Sequence, residues 1–386
     1  MRGPAVRSFV VAAGGTGGHV FPAEALAAEL AARGERVVLM TDARSGALME
    51  KGGTRFEGMD RFILPGAGLA GRGARRAAAG ALALARGTIQ ARQLLATLNP
   101  AAVVGFGGYP SVPPILAARL LPAARRPVVV LHEQNAVLGR ANRFLSRGAD
   151  LLALVFEDTA RIPEGVATEV VGNPVRPALR ALAGQGFLSP AAGAPFHLLV
   201  LGGSLGARVF ADVVPEAIAR LAPGHRARLR VTQQCRAEDL ERTRDAYAAA
   251  GVAAELAPFF PDVAALYRNA HLVISRAGAS SVAELACAGR PAILVPLPGA
   301  IDDHQSANAR AMAASGAAEV MLQAGNQSGN PDGFTPAALA SALTARLEDP
   351  TRLIPAAAAA AGLARPDAAA LLADRVQALA HSHTTR

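Results

Sequence analysis

The chain has 386 residues with a formal net charge of +9, and 51% of its residues are hydrophobic. This length predicts two domains, and the apolar fraction is sufficient for a large core. The only cysteines, Cys235 and Cys287, lie too far apart to indicate a disulfide framework or a thiolate zinc site, and neither a signal peptide nor a membrane span of about 20 uncharged apolar residues is expected.

In the first half of the chain, strands and helices alternate. The predicted strands are residues 8–13, 36–41, 101–105, 127–131 and 151–155, and the predicted helices are residues 22–33, 75–98 and 111–121. Alternation of this kind is typical of a parallel sheet covered by helices.

A Gly/Pro-rich segment, residues 172–177, interrupts the alternation, and a Gly/Pro/Ala-rich loop follows at about 181–195. Further strands are predicted at residues 197–201, 228–232, 252–256, 271–275 and 292–296. We therefore predict an α/β fold with two Rossmann-like, doubly wound parallel-sheet domains, residues 1–175 and 176–365. The helix within residues 366–386 is a candidate to return to the first domain.

Two glycine-rich loops each follow an apolar strand and precede a predicted helix. The first is Gly14-Gly-Thr-Gly-Gly-His19, and the second is Gly202-Gly-Ser-Leu-Gly206. Glycines let the backbone approach a phosphate, and a helix start offers free N–H groups. Neither loop matches the dinucleotide or P-loop fingerprint, so tight turns without a ligand remain the alternative.

Positive charge is concentrated in the first half. Residues 1–180 contain 22 basic and 13 acidic residues, and residues 61–132 contain nine arginines and no acid. A basic and apolar surface is predicted near the helix at 75–98, formed by Arg72, Arg75, Arg76, Arg86, Arg92, Leu69, Leu82, Leu84, Ile89, Leu94 and Leu95. Such a surface favours anionic lipid headgroups. One alternative is a basic face that is exposed only to solvent. A nucleic-acid site is a weaker alternative, because the sequence lacks the motifs of nucleic-acid-binding proteins.

Polar clusters follow the predicted strands in both halves, at residues 14–19, 107–111, 132–135, 202–206, 276–284 and 302–305. Ligands of open α/β sheets bind beyond the carboxyl ends of the strands. We therefore expect the ligand in a cleft between the two domains.

An ordered set of motifs resembles the MurG family of bacterial GlcNAc transferases over nearly the whole chain. The set comprises Gly14-Gly-Thr-Gly-Gly-His-Val-Phe-Pro22, Gly107-Gly-Tyr-Pro-Ser111, His132-Glu-Gln-Asn135, Gly172-Asn-Pro-Val-Arg176, Gly202-Gly-Ser204 and Asp303-His-Gln305. The resemblance implies a GT-B fold, UDP-GlcNAc as donor and lipid I, undecaprenyl-pyrophosphoryl-MurNAc-pentapeptide, as acceptor. It implies lipid II as the product of one inverting displacement in peptidoglycan synthesis. The expected partners are these substrates and an anionic membrane surface, without nucleic acid. The expected location is peripheral, on the cytoplasmic face of the inner membrane, and no cofactor is expected.

In the first domain, His19 is the candidate general base, because an imidazole accepts a proton near neutral pH. The resemblance marks Thr16, Gly17 and Gly18 as donor-binding positions. Asn135 can pair with sugar hydroxyl or N-acetyl groups. A phosphate-binding or helix-capping histidine and an Asx-turn asparagine are the alternatives.

Further candidates serve the donor nucleotide. Arg176 can bind diphosphate oxygens through its guanidinium, and an interdomain salt bridge is the alternative. Ser204 can bind the same oxygens at the start of the helix that follows the second loop, and a plain N-cap is the alternative. The resemblance assigns the ribose to Glu284, the uracil to Phe260 and the donor sugar to Gln305. An exposed helix glutamate and a solvated loop glutamine are the alternatives. The same resemblance assigns uridine and phosphate contacts to Ala279, Ser280, Ser281, Val282 and Ala283.

Three positions depart from the family pattern. Leu205 replaces a frequent glutamine, Ala277 a serine and Phe260 an isoleucine. No cluster has metal-ligand spacing, and Asp302-Asp-His304 is interpreted as loop polarity. The competing functions are a UDP-GlcNAc 2-epimerase, a nucleotide-sugar-binding module without catalysis and a membrane-associated scaffold.

Overall fold

A computed structural model describes residues 7–15, 17–43, 45, 56, 58–65, 74–203, 206–323 and 333–384, without the side chains of residues 74–77 and 384. The chain divides into two units. The first unit is Met1–Arg176 together with Asp367–Arg386, and the second is Pro177–Pro366.

The first unit is built on a parallel sheet of seven strands in the order β3-β2-β1-β4-β5-β6-β7. The strands are β1 Ser8–Ala12, β2 Arg36–Asp42, β3 Asp60–Leu64, β4 Ala102–Gly105, β5 Val128–Glu133, β6 Leu151–Leu154 and β7 Thr168–Val170. In the register of the sheet, Val10 of β1 lies between Val38 of β2 and Val103 of β4. The central strands are apolar on both faces because helices cover both faces of the sheet.

Before residue 176, the α-helices that lie wholly within the described ranges of the first unit are α1 Gly17–Ala32, α2 Ala74–Leu98, α3 Val112–Arg119 and α4 Arg140–Leu145. Leu26 and Leu30 of α1 pack into one core cluster, whereas Ala91 and Leu95 of α2 pack into the other.

The second unit has a parallel sheet of six strands in the order β10-β9-β8-β11-β12-β13. The strands are β8 Phe196–Leu201, β9 Leu229–Gln234, β10 Ala253–Ala257, β11 Leu272–Ser275, β12 Ala292–Leu294 and β13 Ala318–Val320. Its helices are α5 Pro177–Arg180, α6 Arg208–Ala219, α7 Pro223–Arg228, α8 Leu240–Ala249, α9 Val263–Asn269, α10 Ala279–Ala288, α11 His304–Ala314, α12 Pro336–Glu348 and α13 Leu353–Gly362.

The final helix, α14 Ala368–Thr384, belongs to the first unit. Its buried face, Leu372, Ala373 and Val376, joins the core cluster that contains α1. Arg33 at the end of α1 donates to Asp374 at 2.6 Å and to Gln377 at 2.8 Å. Apolar burial and these polar contacts together hold the chain end against the first sheet.

The strands that the sequence pattern did not predict are β3, β7 and β13. All three lie at sheet edges and carry charged residues, Asp60 and Arg61 in β3, Glu169 in β7 and Glu319 in β13. Edge strands tolerate charge because one side faces solvent, so their hydrophobic signal is weak. The structure also starts α1 at Gly17 rather than residue 22, and α6 at Arg208, four positions beyond the predicted start at Ser204.

Candidate functional site

The first glycine loop connects β1 to α1 through a tight backbone path. Gly15 has a φ of +89°, and its N–H donates to Ser45 Oγ at 2.6 Å. A Cβ at position 14 would lie 2.5 Å from Ser45 Oγ and 2.8 Å from Pro110 Cγ. Both positions therefore require glycine. Thr16 lies outside the described residues.

His19 lies in the first turn of α1, directly after Gly17 and Gly18. Its Nδ1 is 3.1 Å from the carbonyl oxygen of Gly14. A carbonyl only accepts, so Nδ1 carries the proton and the lone pair of the neutral ring is on Nε2. This is the tautomer in which Nε2 can accept a proton.

The His19 ring packs against the loop that follows β4. A Cβ at position 108 would lie 3.3 Å from His19 Nδ1, and one at position 107 would lie 3.6 Å from His19 Nε2. Gly107 and Gly108 have φ values of +80° and +69°. The β1 and β4 loops, which follow neighbouring strands, therefore meet at this imidazole.

Asn135 lies beyond the end of β5 and is half-buried. Its Nδ2 donates to Glu133 Oε1 at 3.0 Å. Glu133 Oε2 accepts from Asn142 Nδ2 at 2.9 Å. A Cβ at position 107 would lie 3.4 Å from the same Asn142 nitrogen. The amide of Asn135 is thus linked through Glu133 and Asn142 to the glycine loop that packs on His19.

His132, in the same motif, has a structural role. It is fully buried, with Nε2 2.9 Å from the Gly172 carbonyl oxygen and Nδ1 2.9 Å from Gln134 Nε2. Burial lowers the pKa of His132 from 6.5 to about 4. The neutral ring therefore connects the end of β5 to the segment that leads to Arg176.

Acidification is expected to destabilise the first unit through His132. The folded pKa is below the unfolded value, so the stabilisation is complete above about pH 6.5 and is lost as pH falls toward 4. Between pH 7 and pH 5 the loss is about 2 kcal/mol by proton linkage. Urea unfolding at both pH values measures it. Equal midpoints, or a higher midpoint at pH 5, would contradict the prediction, and His132→Gln is the control that should reduce the dependence.

The side chain of Arg176 contacts α1 through an aromatic ring. Its guanidinium carbon lies 4.8 Å from the centre of the Phe21 ring. Phe21 also contacts Gly17, since a Cβ there would lie 3.0 Å from the ring. A guanidinium over a ring face is a favourable cation–π contact. Three candidates of the first unit, Gly17, His19 and Arg176, are therefore brought to the start of one helix.

The second glycine loop folds back over its own first residue. A Cβ at position 202 would lie 2.4 Å from the Ala207 nitrogen and 2.7 Å from the Gly206 carbonyl carbon. The Gly206 N–H donates to the Gly203 oxygen at 3.0 Å, and both glycines have positive φ, +81° for Gly203 and +68° for Gly206. Ser204 lies outside the described residues.

The segment after β11 forms the N-terminus of α10. The N-cap is Gly278, which has no side chain to cap the first N–H groups. Ala279 and Val282 are buried, whereas Ser280, Ser281, Ala283 and Glu284 are partly exposed. Ser280 and Glu284 are four residues apart and share one face of the helix. This face carries a hydroxyl and a carboxylate beside the helix start.

Two further candidates follow separate strands of the second sheet, β10 and β12. Phe260, beyond β10, is 8% exposed, whereas the adjacent Phe259 is 68% exposed. Gln305, in the first turn of α11, accepts the Leu297 N–H through Oε1 at 3.0 Å. This hydrogen bond ties the side chain of Gln305 to the segment after β12.

The side chain of Arg276 is hydrogen-bonded to the same segment, the residues after β12. It is 9% exposed, and its NH1 donates to the carbonyl oxygens of Val295 at 3.1 Å and Pro296 at 3.2 Å. Its NH2 donates to Gln323 Oε1 at 2.8 Å. Burial lowers the pKa of Arg276 to about 10, so the side chain stays charged at neutral pH.

All described candidates follow the carboxyl ends of parallel strands within their own units. The second unit places them after β10, β11 and β12, and β11 is the sheet neighbour of β8, the strand that precedes the second glycine loop. Glu133 and Phe21 lie within the sequence motifs but have no role predicted from them, and Asn142 and Ser45 lie outside the motifs. The available signal for Glu133 was an acid inside a buried strand. Among the described residues, no group of three or more His, Cys, Asp or Glu side chains could hold a metal ion.

Comparison with known proteins identifies the family. The model of the glycosyltransferase family 28 N-terminal domain matches residues 9–153, and that of the family 28 C-terminal domain matches residues 197–372. A relative from Granulibacter bethesdensis is 58% identical over 97% of this chain and 94% of its own length. It is named UDP-N-acetylglucosamine–N-acetylmuramyl-(pentapeptide) pyrophosphoryl-undecaprenol N-acetylglucosamine transferase. The chain belongs to the MurG family.

Solved structures agree with this assignment. MurG of Acinetobacter baumannii superposes with a TM-score of 0.75 at 31% identity, covering 96% of this chain and 99% of that one. A protein described as a putative UDP-N-acetylglucosamine 2-epimerase from Listeria monocytogenes superposes with a TM-score of 0.63 at 14% identity, covering 99% and 97%; this likeness shows the fold alone. The MurG-family chain is a GT-B glycosyltransferase, as its motifs predicted.

Proposed function

We propose that this enzyme transfers GlcNAc from UDP-GlcNAc to lipid I, forming lipid II with inversion at the anomeric carbon. The observation that carries the proposal is the 58% identity to a transferase of that name over 97% of the chain. The arrangement around His19 supports it, because the reaction needs a base at the acceptor hydroxyl.

In this mechanism His19 Nε2 removes the proton from the acceptor hydroxyl as that oxygen attacks the anomeric carbon. The Gly14 carbonyl, 3.1 Å from Nδ1, keeps the ring in the reactive tautomer and accepts a hydrogen bond from the imidazolium that forms. A single in-line displacement accounts for inversion without a covalent intermediate. Thr16, Gly17, Gly18 and Asn135 bind the reacting sugars in this proposal.

The leaving UDP needs positive partners at its diphosphate. Ser204 and the N-terminal N–H groups of α10 supply hydrogen bonds to phosphate oxygens, because a helix N-terminus attracts negative charge. The guanidinium of Arg176 adds a full charge.

The rest of the donor is bound by side chains of the second unit. Glu284 accepts the ribose hydroxyls, Phe260 contacts the uracil and Gln305 contacts the sugar. Ala279, Ser280, Ser281, Val282 and Ala283 line the uridine and phosphate in this proposal.

The test is UDP release from UDP-GlcNAc in the presence and absence of a short-chain lipid I analogue. The proposal expects release that depends on the acceptor, with a disaccharide product. Epimerisation of UDP-GlcNAc without acceptor would support the epimerase instead. Binding of UDP-GlcNAc with neither reaction would support a non-catalytic module.

We also propose that the enzyme binds peripherally to an anionic membrane, at the cytoplasmic face of the inner membrane, through α2. No helix in the described part of the chain is long and apolar enough to cross a bilayer. On α2, Leu82 and Ile89 are 52% and 60% exposed, and Arg86 lies between them on the same exposed face. Leu84 and Leu94 pack against the core cluster and Leu95 is buried in it. These three leucines are therefore not part of the exposed face proposed to bind the membrane. Arg72 and Leu69, and the side chains of Arg75 and Arg76, lie outside the described residues.

A variant with Leu82→Ser, Arg86→Glu and Ile89→Ser is expected to bind phosphatidylglycerol vesicles at least about tenfold more weakly. Each lost basic charge removes about 1 kcal/mol of attraction, and the serines remove apolar contact. Vesicle co-sedimentation measures binding, and activity on a water-soluble acceptor should persist. Arg244→Glu, an exposed charge reversal in the second unit, is the control. Vesicle binding equal to wild type would overturn the assignment of α2.

A further inference from the structure

The carboxylate of Glu133 is saturated by N–H donors at the end of β5. It is 2% exposed. Oε1 accepts from the backbone N–H and the Nδ2 of Asn135, both at 3.0 Å. Oε2 accepts from the Gly139 N–H and from Asn142 Nδ2, both at 2.9 Å. Because every partner is a donor, the site requires acceptors at both oxygens, which an ionised carboxylate provides.

Glu133 is poorly suited to direct chemistry, since it is buried and its two oxygens are already occupied by these donors. Its effect is on its neighbours. On one side it fixes the rotation of the Asn135 amide, with Nδ2 toward Glu133 and Oδ1 away from it. The carboxylate selects this orientation of the Asn135 amide. In the opposite orientation, Asn135 Oδ1 would face Glu133 Oε1, and both atoms are hydrogen-bond acceptors.

On its other side, Glu133 fixes Asn142. The Nδ2 of Asn142 is shared between Glu133 Oε2 and the carbonyl oxygen of His132, the latter at 3.1 Å. That nitrogen would be 3.4 Å from a Cβ at position 107, and His19 Nε2 would be 3.6 Å from the same point. Asn142 therefore packs behind the glycine against which the candidate base lies.

We propose that Glu133 is a positioning residue for glycosyl transfer, whose anionic carboxylate holds the Asn135 amide in one orientation beside the His19 site. The proposal rests on the proposed function, because it assumes that Asn135 contacts a reacting sugar. Misplacement of a substrate contact by about 1 Å can cost ~10²-fold in rate, so the expected effect is on turnover.

The decisive variant is Glu133→Gln, which keeps the shape but turns an NH₂ group toward two N–H donors. We expect kcat to fall by about 10²-fold, while the Kd for UDP changes less than about twofold, since the UDP ligands proposed above lie mostly in the second unit. Glu164→Gln, the same change at an exposed position of the first unit, should leave both values unchanged. Normal turnover by Glu133→Gln would overturn the proposal, and so would an equal loss of UDP affinity.

Coupling to Asn135 is tested by a double-mutant cycle. If Glu133 acts through Asn135, the loss of kcat in Glu133→Gln/Asn135→Ala is smaller than the product of the two single losses. Losses that multiply would show independent effects and would overturn the proposal.

A crystal structure of Glu133→Gln gives a readout without activity. We expect the Asn135 amide to be rotated or displaced, and an unchanged Asn135 would overturn the proposal even if the wild-type enzyme proved not to transfer GlcNAc. Should Glu133→Gln not fold, Asn142→Ala removes one of the four donors to Glu133, together with the bond to the His132 carbonyl. It leaves both contacts from Asn135 to Glu133 in place, so we expect kcat to fall only about tenfold. Unchanged turnover in Asn142→Ala would then overturn it.

Discussion

His19→Ala is expected to lower kcat by ~10²–10⁴-fold, the range contributed by a positioned general base, with the fold retained. The ring is partly exposed in the first turn of α1, and its Nδ1 bonds to the Gly14 carbonyl. Its removal therefore leaves the buried core intact. Acceptor-dependent UDP release measures kcat, and far-UV circular dichroism measures the fold.

The kinetic pattern separates the two roles considered for His19. A base acts in the transition state, so its loss lowers kcat with little change in the acceptor KM. A histidine that only binds acceptor phosphate would raise the acceptor KM and leave kcat nearly unchanged. His383→Ala, at an exposed position of α14, is the matched control. Near-normal kcat in His19→Ala would remove the base assignment.

Gly202→Ala is expected to disrupt the second glycine loop. The added methyl would lie 2.4 Å from the Ala207 nitrogen and 2.7 Å from the Gly206 carbonyl carbon. Both are backbone atoms, so no side-chain rotation relieves the overlap, and the turn itself must open. Overpacking of this kind costs about 1–3 kcal/mol, and we expect a lower unfolding temperature for the second unit.

The same substitution should weaken UDP binding, because the loop backbone proposed to bind the diphosphate must move away from the added methyl. We expect a loss of at least about tenfold, which corresponds to about 1.4 kcal/mol. Isothermal titration calorimetry with UDP measures this. Gly224→Ala is the matched control, since no atom beyond its chain neighbours and the adjacent backbone of its own helix lies within 4 Å of its Cβ position. UDP affinity equal to wild type in Gly202→Ala would show that this loop does not form the diphosphate site.

Short-range signals in the sequence were sufficient for most of the architecture. A run such as Phe9-Val-Val-Ala12 followed by glycines predicts a buried strand and a turn, because burial on both faces selects apolar residues. The sequence pattern predicts the start of α1 five residues too late, at residue 22 instead of Gly17. Gly17 and Gly18 have low helix propensity, yet the tertiary structure places them in the first helical turn.

For the candidate site, too, the local sequence pattern predicts some features, whereas others depend on tertiary packing. The strand-turn-helix pattern located His19 and the glycine loops, since a polar residue after a strand must lie at the carboxyl edge of the sheet. The pattern could not indicate that Arg176 stacks on Phe21, which is 155 positions earlier (176 minus 21), with a guanidinium-to-ring distance of 4.8 Å. Such contacts depend on how distant segments pack.

By itself, the sequence determined the fold class, the ordered motifs of the MurG family and the residue types available for chemistry. Those properties follow from local hydrophobic periodicity and from glycine and proline positions, which act over a few residues. Only the tertiary structure decided the tautomer of His19, the neutrality of buried His132 and the set of N–H donors around the Glu133 carboxylate. Each depends on hydrogen-bond partners and burial, and these exist only after β5, its following loop and the β1 and β4 loops have packed together.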